Sequence, residues 1–125
     1  MIDFENSEVF KLKPIEEKDV RDEFHKFLIE SEVIIAAFKT VRDQLVFTNK
    51  RIIAANVQGI TGSKVDYTSL PYSKIQAFSV ETSGTFDLDC EIEVYISELG
   101  KVKFEVKGSF DLISFNKHVS EYVLA

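Results

Sequence analysis

Three basic side chains in two predicted turns could together hold an anion: Arg42, Lys50 and Arg51. Guanidinium and ammonium groups bind phosphate through charge-assisted hydrogen bonds, so the ligand would be a phosphate or an anionic lipid head group. Solvated turn charges are the simpler explanation. The chain carries a net charge of −6 at pH 7, which repels nucleic acid and anionic membranes. Anion binding is therefore kept as the alternative function. Neither nucleic acid nor a membrane is expected to be the main partner.

A row of carboxylates could recruit a hard cation such as Ca²⁺. Four of them alternate along one predicted strand: Asp87, Asp89, Glu91 and Glu93. They share one face, but a straight strand does not converge them on one point, and no calcium-loop spacing is present. Three lysines of the next predicted strand share that face: Lys101, Lys103 and Lys107. Cross-strand ion pairs are the simpler prediction, and no metal site is expected.

The usual catalytic groups are sparse in this chain. Cys90 is the only cysteine and alternates with apolar residues, which is typical of a buried structural thiol. One cysteine also excludes an intramolecular disulfide and a cysteine-rich metal site. His25 and His118 lie in predicted helices, with no nucleophile and orienting carboxylate placed beside them. We therefore predict no enzyme activity, no catalytic residue and no cofactor.

Length and composition indicate one globular domain over residues 1–125. The apolar content of 45% with 11 phenylalanines suffices for a single core. The amino terminus lacks the basic and apolar regions of a signal peptide. No apolar run approaches the roughly 20 residues of a membrane-spanning helix. The expected location is the cytoplasm.

The first third of the chain predicts an arm followed by a helix. Residues 1–13 show no sustained period and are interpreted as an N-terminal arm. Pro14 suits a first helical turn, and Val20, Phe24 and Leu28 recur at helical spacing. The pattern predicts a leading helix over residues 14–31.

The rest of the chain predicts a small barrel closed by a helix. Short β-type runs over residues 33–107 are separated by turn residues, with a two-residue turn at Asn49-Lys50. The runs 45–47 and 52–55 are apolar on both faces, so both faces need cover. In the last hairpin, a Glu98-Leu99-Gly100 loop would place Val94 opposite Phe104. Ser109 is the predicted N-cap of a capping helix over residues 109–124.

Motifs in the middle of the chain resemble those of the bacterial pleckstrin-homology (PH) domain family. They are Arg42-Asp43, Val46 to Arg51, Gln58 to Gly62, Ser69 to Ile75 and Phe78 to Gly84. The resemblance implies a mainly β, PH-like fold: a partly open barrel of about seven antiparallel strands in two roughly orthogonal sheets, with an N-terminal helix and a C-terminal capping helix. It also implies a non-enzymatic protein whose relatives tend to assemble into rings. The family supplies no catalytic or ligand residue.

Surplus apolar surface suggests what this domain does. Phe4, Val9 and Phe10 lie outside the predicted regular elements and are candidates for a subunit interface. Edge strands of an incomplete barrel could also pair with a protein or an extended peptide. We predict a binding or scaffolding module that forms a homo-oligomer, ring-shaped if it follows the family. The arm could instead fold back on its own domain.

Overall fold

The computed structural model describes residues 10–84 and 89–125, which form one open, mixed sheet of eight strands in the order β5-β4-β3-β2-β1-β8-β7-β6. The strands are β1 Phe10–Ile15, β2 Ile34–Lys39, β3 Gln44–Thr48, β4 Arg51–Gln58, β5 Lys64–Pro71, β6 Ile75–Thr82, β7 Cys90–Ile96 and β8 Gly100–Val106. The helices are α1 Asp22–Phe27 and α2 Leu112–Val123, with 3₁₀ turns at Glu17–Asp19 and Tyr72–Lys74. The predicted mainly β fold with a C-terminal helix is confirmed.

Strand β1 joins the two halves of the sheet and corrects the prediction for residues 1–13. Its first half runs parallel to β8, with Phe10 opposite Phe104, and its second half runs antiparallel to β2, with Pro14 opposite Phe38. Residues 10–13 are therefore part of a central strand and not of an arm. The count of about seven antiparallel strands becomes eight, with one parallel pairing. The orthogonal arrangement of two sheets and the single domain stay predictions.

The leading helix predicted over residues 14–31 was wrong in its extent. Residues up to Ile15 belong to β1, and α1 covers only Asp22–Phe27. Proline is tolerated in this half of β1 because the half pairs with one strand only among the described residues, so the missing N–H costs little. At the other end, the Arg51 guanidinium donates to the carbonyl oxygen of Phe27 at 2.8 Å, so a side chain satisfies this end of the helix.

Strands β3 and β4 are buried on both faces, as predicted for residues 45–47 and 52–55. One face meets the main core, to which α2 contributes Leu112, Phe115 and Val119. The other face carries Val46 and Ile53, and it packs under Val20 and Phe24 of the α1 region. A short helix and its preceding turn thus provide the second cover.

The β7–β8 hairpin has the predicted faces in a different register. Val94 lies opposite Val102, not Phe104, and Ile96 lies opposite Gly100. The loop is Ser97 to Leu99, because Glu98 and Gly100 both take positive φ, 71° and 94°. A shift of two residues leaves each side chain on its own face.

The start of the capping helix also differs from the prediction. Asp111, not Ser109, is the N-cap of α2, and its carboxylate accepts from the Ser114 N–H at 3.0 Å. The helix therefore begins at Leu112 and ends at Val123.

Candidate interaction site

A buried ion pair fixes the segment between α1 and β2. The Glu32 side chain is fully buried, and the guanidinium of Arg51, at the start of β4, donates to both of its oxygens at 2.9 and 3.0 Å. The same guanidinium donates to the Phe27 carbonyl and, at 3.2 Å, to the Ser69 hydroxyl. Every nitrogen of Arg51 is thus engaged, and both ends of the segment 27–32 are held to the sheet.

The surroundings of Glu32 favour its charged form. Burial by itself raises the pKa of this carboxyl, but the hydrogen bonds from Arg51, Thr48 and the Ile29 N–H outweigh it, and the net pKa is lowered. The Thr48 hydroxyl donates to Glu32 at 2.6 Å and accepts from the Lys50 N–H at 3.0 Å. Protein groups therefore supply the hydrogen bonds that the buried carboxylate would otherwise make with water, as a buried charge requires.

Asn49 extends this network to the start of β2. Its side-chain oxygen accepts from the Val33 N–H at 2.8 Å, and its side-chain nitrogen donates to the Ser31 carbonyl at 2.9 Å. The predicted two-residue turn at Asn49-Lys50 is confirmed, and Asn49 does not take a positive φ. Its amide serves to anchor the connection between α1 and β2.

The anchored segment exposes an apolar patch, formed by Phe27, Ile29 and Val33, whose exposed fractions are 49%, 59% and 58%. The Phe27 ring also packs on Tyr67 of β5, with ring centroids 4.8 Å apart. Among the described residues, eight large apolar side chains are exposed, and three of them fall within this one seven-residue segment. Three exposed apolar side chains therefore lie on a short segment whose backbone is held to the sheet.

The three predicted anion-binding cations are not brought together. Arg42 precedes β3 and Lys50 follows it, so a five-residue strand, spanning roughly 15 Å, separates them. Arg42 donates to the Gly59 carbonyl across the adjacent loops. Lys50 is exposed, whereas Arg51 is neutralised by Glu32. The anion-binding alternative stays a prediction, without a converging site to support it.

The predicted interface residues lie mostly beyond what the structure describes. Phe4 and Val9 fall outside the described residues. Phe10 opens strand β1, and its backbone lies opposite Phe104. Their part in an interface stays a prediction, and residues 10–13 cannot be removed as an arm without cutting a central strand.

The acidic row forms ion pairs with the facing lysines, as predicted. Along β7 and β8, Glu93 meets Lys101 at 3.6 Å and Glu91 meets Lys103 at 2.9 Å. Lys107 bridges Asp89 and Glu105 at 3.6 and 2.8 Å. Asp87 lies outside the described residues. We call these pairs the exposed ladder. Within residues 10–84 and 89–125, no cluster of three or more His, Cys, Asp or Glu is arranged to hold a metal ion.

The thiol and the two imidazole groups lie on three different elements. Cys90 is buried at the start of β7. Its burial and, to a smaller extent, the negative charge of Asp89 raise the pKa of the thiol to about 11. A thiol with such a pKa is a poor nucleophile at neutral pH. His25 on α1 and His118 on α2 are both exposed.

Sequence reasoning missed the patch and the network beneath it. Ile29 is assigned to the end of the predicted helix and Val33 to the start of the first predicted strand. The available signal was the apolar run Phe27-Leu28-Ile29 directly before the polar run Glu30-Ser31-Glu32. The partner of Glu32 lies 19 positions away at Arg51 and follows no local spacing.

Comparison with known proteins identifies the family. The model of the bacterial PH domain matches residues 3–123. The chain belongs to the bacterial PH domain family. A protein of Bacillus subtilis, the uncharacterised YjqA, is 46% identical over 100 residues, which are 78% of this chain and 80% of YjqA.

Two solved structures share the fold of this bacterial PH domain. A protein with a pleckstrin-homology domain from Shewanella loihica has a TM-score of 0.75 at 34% identity, over 91% of this chain and 98% of its own. A pleckstrin homology domain from Shewanella amazonensis has a TM-score of 0.60 at 41% identity, over 82% and 84%. The predicted PH-like fold is confirmed. Neither helix among the described residues has the length and apolar character needed to cross a bilayer.

Proposed function

We propose that this bacterial PH domain is a non-enzymatic binding and scaffolding module that associates with copies of itself. The observation that carries the proposal is the apolar patch, held in place by the buried ion pair. Exposed apolar clusters on soluble proteins mark association sites, and aromatic anchors such as Phe27 dominate binding energies. The ring-shaped assembly and the cytoplasmic location predicted from the sequence belong to this proposal.

The anchoring beneath the patch favours binding. A loop that is ordered only on association loses conformational entropy at that moment, which weakens binding. Here Arg51 and Asn49 already hold the segment 27–33 at both ends. The patch is thus preorganised, and burying it against a second copy gains the full hydrophobic contribution at little further cost.

The test compares two pairs of exposed aliphatic residues. Changing Ile29 and Val33 to Gln removes apolar surface from the patch, whereas the matched control changes Val41 and Ile60, which are fully exposed at two loop tips. Absolute mass is measured by size-exclusion chromatography with light scattering. We expect a mass several times 14.3 kDa for the unmodified protein and for the control, and a smaller mass for the patch variant.

Two results would count against the proposal. A monomeric unmodified protein at all concentrations would remove self-association. An unchanged mass of the patch variant, with circular dichroism showing it folded, would remove the patch from the interface.

A further inference from the structure

Strand β6 ends the sheet in the part of the chain that the structure describes. It pairs with β7 on one side, and no described strand lies on its other side. The N–H and C=O groups that point away from β7 are therefore available for pairing with another strand. An edge of this kind is a template for association unless the sequence protects it.

The two ends of the sheet differ in such protection. Strand β5 begins with Lys64, contains Asp66 and ends with Pro71. Lysine and proline are the residues that proteins use to keep edges from pairing. Strand β6 contains no Lys, Arg or Pro between Ile75 and Thr82, and Glu81 is its one charged residue. A bulge interrupts β6 between Ile75 and Ala77, which leaves 77–82 as a regular edge.

The inner face of β6 is incompletely covered. Phe78 and Val80 are half-buried and line an apolar groove between β6 and α2, whose other wall includes Phe115, Val119 and Val123. The outer face carries the exposed Ala77, Ser79 and Glu81. An added strand would therefore gain main-chain hydrogen bonds and would also cover the rim of this groove.

A second copy of the same strand fits this edge. In an antiparallel pair related by a two-fold axis through Ser79, Phe78 of each copy faces Val80 of the other, and Ser79 faces itself. The two apolar pairs share the groove face, as cross-strand packing requires. Each Glu81 faces Ala77, and the two Glu81 side chains lie four residues, or roughly 14 Å, apart. The only charge on the strand is thus kept away from its copy.

We propose that β6 pairs with β6 of a second copy, antiparallel and centred on Ser79, so that two eight-stranded sheets become one. This inference rests on the proposed self-association and adds a second contact, separate from the apolar patch. The contact is isologous, with the same surface contributed by both copies. The β6 contact would thus join, two at a time, the assemblies that form through the apolar patch.

The experiment uses the residue on the two-fold axis. Ser79→Lys and Ser79→Glu each place like charges against themselves, which opposes pairing, while a 1:1 mixture places Lys against Glu and restores it. Because Ser79 is exposed, both variants keep the fold. Ser109, exposed beyond β8, takes the same two changes as a control. All variants are made in the full chain, both unmodified and with Ile29→Gln and Val33→Gln.

The oligomeric state of each variant is measured by sedimentation velocity at low salt, where charge effects are strongest. With the patch removed, we expect a dimer that each Ser79 variant converts to a monomer and that the mixture restores. A monomeric patch variant would overturn β6 pairing while leaving the proposed self-association intact. A dimer insensitive to both Ser79 changes would overturn it as well. If the Ile29→Gln and Val33→Gln changes leave the mass unaltered, the Ser79 variants of the chain without these changes test the β6 contact. A halved mass supports β6 pairing, and an unchanged mass overturns it.

Discussion

The buried ion pair and the exposed ladder use the same chemical groups for different purposes. Glu32 has no exposed side-chain surface, and Arg51 meets it with two hydrogen bonds. In the exposed ladder, Lys101 and Glu93 are 3.6 Å apart and the lysine side chain is 74% exposed. Water competes for the exposed charges, whereas the buried Glu32 carboxylate depends on hydrogen bonds from protein groups, with Arg51 foremost among them. The comparison teaches that the buried pair holds the segment 27–32 against the sheet, whereas the ladder lies on a sheet face in contact with water.

Removing one partner of each pair is the strongest way to break this comparison. Glu32→Ala removes the acceptor of two hydrogen bonds from the Arg51 guanidinium and of one from the Thr48 hydroxyl, and it leaves the guanidinium without its counter-charge. We expect the free energy of unfolding in urea to fall by about 3–5 kcal/mol. The matched change Glu93→Ala in the exposed ladder should leave it within about 1 kcal/mol of the unmodified protein. Equal losses in the two variants would contradict the distinction.

The pH dependence of stability sharpens the comparison. Because the folded state lowers the pKa of Glu32, its contribution is full above the ordinary carboxyl value of 4.5 and is lost as the pH falls below it. We expect the urea midpoint of the unmodified protein to drop between about pH 5 and pH 3, and Glu32→Gln to flatten part of that drop.

Glu105 provides the control for the acid series. Hydrogen bonding to Lys107 lowers the pKa of this carboxyl too, but on an exposed face. Glu105→Gln should therefore keep most of the acid sensitivity. A Glu32→Gln profile parallel to that of the unmodified protein would show that other carboxylates control the acid response.

The smallest effect is expected within the exposed ladder. Lys103→Gln removes the closest partner of Glu91, which is 2.9 Å away, and the pKa of this lysine is raised chiefly by that hydrogen bond. Since both side chains remain in contact with water, the urea midpoint should stay within experimental error at 0.15 M salt. A clear drop that disappears in 1 M salt would show that the ladder contributes to stability.

Sequence patterns predicted the faces of the strands better than their pairing. Alternation along β7 and β8 identified the buried side chains, but it could not distinguish registers that differ by two residues, because both keep every side chain on its face. The positive φ of Glu98 decided between them, and glutamate carries no strong turn signal. Likewise, Pro14 is compatible with a helix start or a one-sided strand, and only its distant partner Phe38 settles which.

The candidate site was less accessible to sequence reasoning than the fold. The interface prediction relied on residues outside regular elements, which directed it to Phe4, Val9 and Phe10. The patch instead arises because Arg51 and Asn49 reach across from β4 and the β3–β4 turn to hold the segment 27–33. Such contacts depend on which strands become neighbours, and no spacing along the chain records them.

The crossing of β1 has a consequence for biosynthesis. Its first half needs β8 as a partner, and Phe10 and Phe104 are more than ninety positions apart in the chain. At the usual pace of translation, β1 is synthesised about 5–20 s before β8. The successive hairpins from β2 to β5 can form in that interval, because each joins neighbouring segments. The sheet is thus completed last at its middle, and the nascent chain leaves one edge of β1 unpaired until β8 is made.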